Sequence, residues 1–408
     1  MASLDGKRLQ GVEEGGGSKK KELSELKKRR KKSKRNLYMP KLSCLRIEPE
    51  STGKSFDVEV VDASGQRPHP SHLLIMVNGL LGSAQDWKFA AKQLLKRYPY
   101  DIIVHCSECN SSKLTFDGID VTGERLAEEV ISVIKRHPGV QKISFIGHSL
   151  GGLIARYAIA KLYERDISKE NARENGHFGN HNSDPACNER KSKGKIAGLE
   201  PLNFITFATP HLGSRGHKQA PVFGGSHALE KAATRVSWLL GKTGKHLFLT
   251  DKDNGKPPLL VQMVYDNEDM KFLSALQSFK RRVAYANVRH DPLVGWSTSS
   301  IRRRKELPKP KNLPRHEKYR HIVNVGIANP TNVPEDVLAE TKVNGSDKID
   351  LEEEMIRGLT KVSWDRIDVS FSGSRQRYLA HNAIQVRFSW INSSGADVIH
   401  HMIDNFEL

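Results

Sequence analysis

The sequence predicts an α/β architecture: a mostly parallel, eight-stranded sheet with helices on both faces. Three observations lead there. Short, continuous apolar runs recur from Leu42 onward, stretches with helical apolar spacing separate them, and one run leads directly into a Gly-x-Ser-x-Gly turn that opens a helix. Continuous apolar runs suit strands buried on both faces, as parallel strands are, and their alternation with helices marks strand-helix-strand crossovers.

The candidate strands are Cys44 to Ile47, Phe56 to Val61, Leu73 to Val77, Ile102 to Cys106, Ile143 to Ile146, Phe204 to Ala208, Val283 to Val288 and Ile367 to Phe371. The first two are close together and half-polar, as an antiparallel hairpin would be. Gln85 to Tyr98, Gly123 to Arg136 and Leu150 to Tyr163 carry helical spacing, and Leu351 to Leu359 and Ala396 to Phe406 read as later helices.

Three segments break the rhythm. Residues 166–198 are rich in Asn, Gly, His and charge and read as a surface insertion, in which His177, His181 and Cys187 fit a polar loop better than a metal site. Residues 214–262 leave the sheet for a stretch whose middle, Leu229 to Leu240, is amphipathic and is expected to act as a lid. Residues 302–350 begin with a basic run and turn Pro-rich, so they are expected to decorate the core.

The chain of 408 residues carries a formal charge of +18. Residues 1–36 hold 13 Lys or Arg against 5 Asp or Glu, so the tail supplies much of the excess. Residues 1–38, with their triple glycine and few apolar anchors, are expected to be a disordered basic tail, and 39–408 one catalytic domain. Such a tail suits peripheral contact with anionic membranes or, alternatively, a nuclear address. No apolar run reaches 18 residues and no secretory signal core opens the chain, so a cytoplasmic protein is expected. The four cysteines are too scattered for a disulfide framework, and the Cys106/Cys109 pair lacks partners at zinc spacing, so it reads as strand-end packing. No metal or cofactor is expected. No nucleic-acid motif accompanies the charge, so nucleic acid is not an expected partner.

Chemistry concentrates at Gly147-His148-Ser149-Leu150-Gly151. Alone the pattern is weak, arising by chance in about one chain in seven of this length at ordinary Gly and Ser frequencies. Its context is specific: strand, sharp turn and helix are what a nucleophile elbow requires, and the helix N-terminus sets partial positive charge behind Ser149. A second element, Asn78-Gly79-Leu80-Leu81-Gly82, ends the third strand, where an oxyanion loop belongs. The amides of Leu80 and Leu150 are the expected oxyanion donors, with Asn78, Gly79 and His148 lining the substrate pocket.

A serine hydroxyl needs a base, and the base needs an orienting carboxylate. In an α/β-hydrolase fold these follow in the order Ser, acid, His. Asp291, just past the seventh strand, is the expected acid, although a turn Asp before Pro292 reads the same way. His381, ten residues past the last strand, is the expected base, with His400 and His401 as rivals that a helix surface suits better. His211 precedes Asp291, breaks that order and reads as structural.

With these residues assembled, the chain resembles the serine esterase family of lipase-like α/β-hydrolases, particularly its plant members, over about residues 68–300 and again from 351 to 408. The likeness rests on Val77 to Gly82 with Asp86-Trp87, on Gly147 to Gly152, on Thr209-Pro210-His211-Leu212-Gly213, and on the blocks Asn287 to Pro292 and Ala380 to Val386. It implies intracellular hydrolysis of acyl esters in lipids, with Ser149, Asp291 and His381 at the triad positions; a lipid or a small ester is the expected substrate. Thioester hydrolysis or acyl transfer would use the same machinery. A non-catalytic ligand-binding homologue is the reading from another class, and retention of all three triad residue types speaks against it.

Overall fold

A computed structural model describes residues 55–58, 70–165, 193–214, 240–252, 255–310, 313–328, 330 and 350–408. Eight strands form one sheet: β1 (Ser55–Val58), β2 (His72–Val77), β3 (Ile102–Ser107), β4 (Lys142–His148), β5 (Glu200–Phe207), β6 (Arg281–Asn287), β7 (Ile322–Ala328) and β8 (Trp364–Val369), in the order β1-β3-β2-β4-β5-β6-β8-β7. Neighbours from β3 across to β8 run parallel, and β1 and β7 close the two edges antiparallel. This is the α/β-hydrolase arrangement that the alternating runs predict.

The period-2 geometry of a strand explains why both faces are apolar. Leu73, Ile75 and Val77 of β2 face α2 (Ile119–Arg136) and α3 (Leu150–Leu162), joining Leu126, Val130, Leu153 and Ile154 in one core. Leu74 and Met76 face the other way, toward α1 (Lys88–Arg97) and the C-terminal α10 (Ala396–Asp404), joining Leu94, Val398 and Met402. Among the described residues no helix is long and apolar enough to cross a membrane.

Three differences from the sequence reading have physical causes. Residues 322–328, expected to decorate the core, are strand β7; the run is half-polar because only its β8 side is paired, and Val325 and Ile327 stay exposed. Helix α2 starts at Ile119, four residues ahead of Gly123, after Gly118 takes φ 106°. Gly123 lies inside it because a side chain there would strike Tyr157 of α3. His401 is buried, with Nδ1 2.8 Å from the Tyr285 hydroxyl, instead of lying on a helix surface. Residues 1–38, the run Cys44 to Ile47, most of the 166–198 insertion and nearly all of the amphipathic stretch Leu229 to Leu240 lie outside the described residues.

A buried ion pair braces the far end of the sheet. Arg302 Nη1 donates to both oxygens of Asp368, at 2.7 and 2.9 Å, and Trp296 and Asn324 donate to the same carboxylate. All four lone-pair directions of a fully enclosed charge are thus used, the condition under which burying it is tolerable.

Several histidines are buried as neutral rings. Burial drives His72 down to about 3 and His401 down to about 4. Burial, followed by the nearby His381, pushes His148 well below 6.5, and burial with the Arg156 charge does the same to His211. A group with a depressed folded value takes up protons in the unfolded chain first. Stability is therefore expected to fall as pH drops below about 6.5, with His72, His148 and His211 among the contributors. Urea midpoints measured between neutral pH and pH 4 check this; a flat profile would contradict it.

Candidate active site

Ser149 sits between β4 and α3 with φ 54° and ψ −125°, a strained conformation for a residue with a side chain. The surrounding glycines make the strain possible. A Cβ on Gly147 would come within 2.5 Å of the Gly152 amide nitrogen, and one on Gly151 would collide with the carbonyl of Val77. Ser149's own amide donates to the Phe207 carbonyl at 2.8 Å, fixing the turn to the end of β5. Gly151→Ala is therefore expected to destabilise the fold by about 1–3 kcal/mol or more, the usual range for forced overpacking. Chemical denaturation checks this, and an unchanged midpoint would contradict it.

His381, on the short helix α9 (Ala380–Ala383), brings Nε2 to 3.0 Å from Ser149 Oγ. Its Nδ1 lies 3.0 Å from Asp291 Oδ2. A carboxylate only accepts, so Nδ1 carries the proton and Nε2 presents its lone pair to the hydroxyl. All three residues are buried, with Ser149 retaining 8% exposure.

Asp291 is held at every oxygen. Oδ1 accepts from the amides of Leu293 and Val294 at 3.0 and 2.9 Å, and Oδ2 accepts from Asn287 Nδ2 at 2.8 Å as well as from His381. Burial alone would raise its pKa, but the His381 partner and these donors outweigh it and hold the carboxyl below the usual range. The carboxylate stays charged near neutrality, available to stabilise an imidazolium.

The sequence-predicted pocket residues divide by role. His148 Nε2 lies 2.7 Å from the His381 carbonyl, which can only accept, so the neutral His148 ring donates there and steadies the α9 backbone. Its ring packs tilted on that of His381 at 4.7 Å. Asn78 turns its amide to the carbonyls of Gly79 and Asn110, at 3.1 and 3.2 Å, and so braces the turn after β2. Gly79 itself backs onto Ser149: a Cβ there would lie 3.0 Å from the serine Cβ.

In that turn Gly82 donates to the Gly79 carbonyl and Leu81 to Thr115 Oγ1. The Leu150 amide occupies the first helical position, among the donors a helix leaves unused. Leu80 thus follows Gly79, which backs onto Ser149, and Leu150 opens the helix directly after Ser149.

Two features were not read from the sequence. Arg387 joins the His381 segment to the turn after β2, through an ion pair with the buried Asp86 (Nε to Oδ1, 3.1 Å) and a hydrogen bond to the Leu81 carbonyl (3.4 Å). Asn287 as a donor to the acid was also missed; the only signal was its place at the end of β6, four residues before Asp291. Neither alternative base is at the site. His401 is bound to Tyr285, His400 is exposed on α10, and His211 is enclosed against Thr206 Oγ1 at 3.0 Å and the Trp364 ring.

Among known proteins, the chain is 29% identical over 269 residues to "Putative lipase ROG1" of Saccharomyces cerevisiae, a stretch that covers 65% of this chain and 33% of that one. It is 25% identical over 240 residues to "Putative lipase C4A8.10" of Schizosaccharomyces pombe, covering 57% and 26%. The chain thus spans about a third of the length of the curated relatives it matches. Among solved structures, the Bacillus licheniformis lipase BlEst2 in its propeptide form aligns with a TM-score of 0.34 at 15% identity, covering 58% of this chain and 39% of that one. The Pyrococcus furiosus esterase PF2001 aligns with a TM-score of 0.31 at 14% identity, covering 60% and 68%. The family described as "Putative serine esterase (DUF676)" matches residues 67–301, a stretch holding the turn after β2, the Ser149 turn and Asp291. With more than half of its length matched, the chain belongs to this serine esterase family.

Proposed function

We propose that the protein hydrolyses carboxylic esters of acylated lipids, with Ser149 as nucleophile, His381 as general base and Asp291 as the carboxylate that orients it. The observation that carries this reading is the hydrogen-bonded series from Ser149 Oγ through His381 to Asp291, with both links at 3.0 Å and the imidazole in the tautomer a base requires.

In this reading, His381 Nε2 takes the serine proton as Oγ attacks the ester carbonyl. The tetrahedral oxyanion is held by the amides of Leu80 and Leu150 and by the positive end of α3. His381 then gives its proton to the departing alcohol, leaving an acyl group on Ser149. A water, deprotonated by the same imidazole, releases the acid and restores the enzyme.

Membership of a serine esterase family supports ester cleavage, and the names of the yeast relatives favour lipid esters. A panel of short p-nitrophenyl esters, mono- and diacylglycerols and acyl thioesters tests the substrate class. Hydrolysis of glycerolipids with liberation of free fatty acid is the expected result. Turnover confined to thioesters would overturn the lipid-ester reading.

A further inference from the structure

Among the described residues, seven of the eleven large apolar side chains left exposed lie on the loops that carry the site, the other four being Tyr100, Val325, Ile327 and Leu408. Leu81 (51% exposed) is in the oxyanion turn, and Leu114 (45%) neighbours Thr115, which holds the Leu81 amide. Leu293 (52%) follows Asp291, and Tyr378 (66%) and Leu379 (42%) precede His381. Beyond His381 come Phe388 (46%) and Trp390 (80%).

Several of these positions are tied to the site by direct contacts. Leu293 donates its amide to Asp291, the Tyr378 ring meets His290 at 5.5 Å, and Arg387, next to Phe388, bonds the Leu81 carbonyl. Trp390 is at the tip of a fixed loop. The Phe388 carbonyl accepts from the amides of Ile391 and Asn392 at 3.0 and 2.7 Å, and Asn392 Oδ1 accepts from the Phe388 amide at 3.0 Å. An indole 80% exposed on this hydrogen-bonded loop contributes little to the fold's own packing.

Basic side chains are interleaved with the apolar ones. Lys113 precedes Leu114, Arg289 is two residues from Asp291, Arg375 and Arg377 precede Tyr378, and Arg387 precedes Phe388. Lys113, Arg289 and Arg375 are exposed, and the guanidinium groups of Arg377 and Arg387 lie over the rings of Tyr378 and Phe388, at 4.9 and 5.3 Å. Indole and phenol rings with arginine beside them match the interface of a bilayer, where an apolar body meets a polar, negatively charged headgroup layer.

We propose that this rim, led by Trp390 and Phe388, docks the protein on an anionic lipid bilayer with the Ser149 site facing the membrane. The inference deepens the lipid-ester reading and rests on it for its purpose. The occupant we assign is the bilayer surface, because the basic residues complement anionic headgroups and the exposed apolar side chains lie on the segments that carry Leu81, Asp291 and His381. The rim is distinct in sequence from the basic run at Lys19 to Arg35, which would attract an anionic surface by charge alone.

The test uses the full chain with and without Trp390→Ala and Phe388→Ala together, in co-sedimentation with phosphatidylcholine vesicles containing or lacking phosphatidylserine. The expected result is binding to the phosphatidylserine vesicles that the double variant weakens about tenfold, equivalent to about 1.4 kcal/mol. Turnover of a short water-soluble ester by the double variant should equal that of the parent. Equal vesicle binding by parent and double variant would overturn the proposal and leave attraction to the basic tail. Absence of vesicle binding by a parent that turns over soluble esters would also overturn it and assign the rim to a protein partner. Vesicle binding lost in the double variant, in a chain that hydrolyses no ester at all, would sustain the dock and refute the esterase reading.

Discussion

Ser149→Ala is expected to lower kcat for any ester substrate by about 10⁶-fold, the scale on which a nucleophilic serine acts together with its base. The substitution removes one oxygen from a position already strained by the elbow, so the unfolding midpoint should not fall. A residual acceleration of about 10³ to 10⁴ over water would persist if Leu80 and Leu150 still bind the oxyanion. Steady-state kinetics with a chromogenic ester and a matched urea titration separate the two effects. Activity within tenfold of the parent would place the nucleophile elsewhere.

His381→Ala should be nearly as damaging, because an unassisted hydroxyl is a poor nucleophile at neutral pH. Asp291→Asn isolates the orienting role. It keeps the shape of the side chain but offers an amide where Nδ1–H needs an acceptor, so the imidazole is turned to the wrong tautomer at a cost of about 10⁴-fold in kcat. Besides the bond to His381, Asp291 accepts three more, from Leu293, Val294 and Asn287, so some loss of stability should accompany this variant. Retention of activity in Asp291→Asn within about tenfold would point to a different carboxylate, while full activity in His381→Ala would remove the base assignment.

The nucleophile elbow was the most legible part of the chain because its geometry excludes side chains. Gly147, Gly151 and Gly152 lie against backbone or against Thr209, and only glycine fits in each case. The parallel core was legible for a related reason: β2, β3 and β4 are buried on both faces and so read as unbroken apolar runs. Strand β7 was not, since an edge strand with one open side has the composition of a loop, and it follows a basic, Pro-rich approach.

The base illustrates a different limit. Chain order narrows the choice to histidines beyond β8, but separating His381 from His400 and His401 depends on which backbone reaches Ser149, and nothing local encodes that. The same holds for His148. Its position in the elbow motif was visible, yet its hydrogen bond to the His381 carbonyl joins residues far apart in the chain. Asp86 and Arg387, which tie the turn after β2 to the His381 segment, are likewise a product of the assembled fold.

The central claim is that Ser149 is a nucleophile activated by His381, and covalent labelling tests it most directly. A fluorophosphonate probe added at neutral pH to the parent, to Ser149→Ala and to His381→Ala, followed by peptide mapping, should give one adduct on Ser149 in the parent, none in Ser149→Ala and a greatly slowed reaction in His381→Ala. An adduct on another serine, or labelling of the parent no faster than of His381→Ala, would contradict the account.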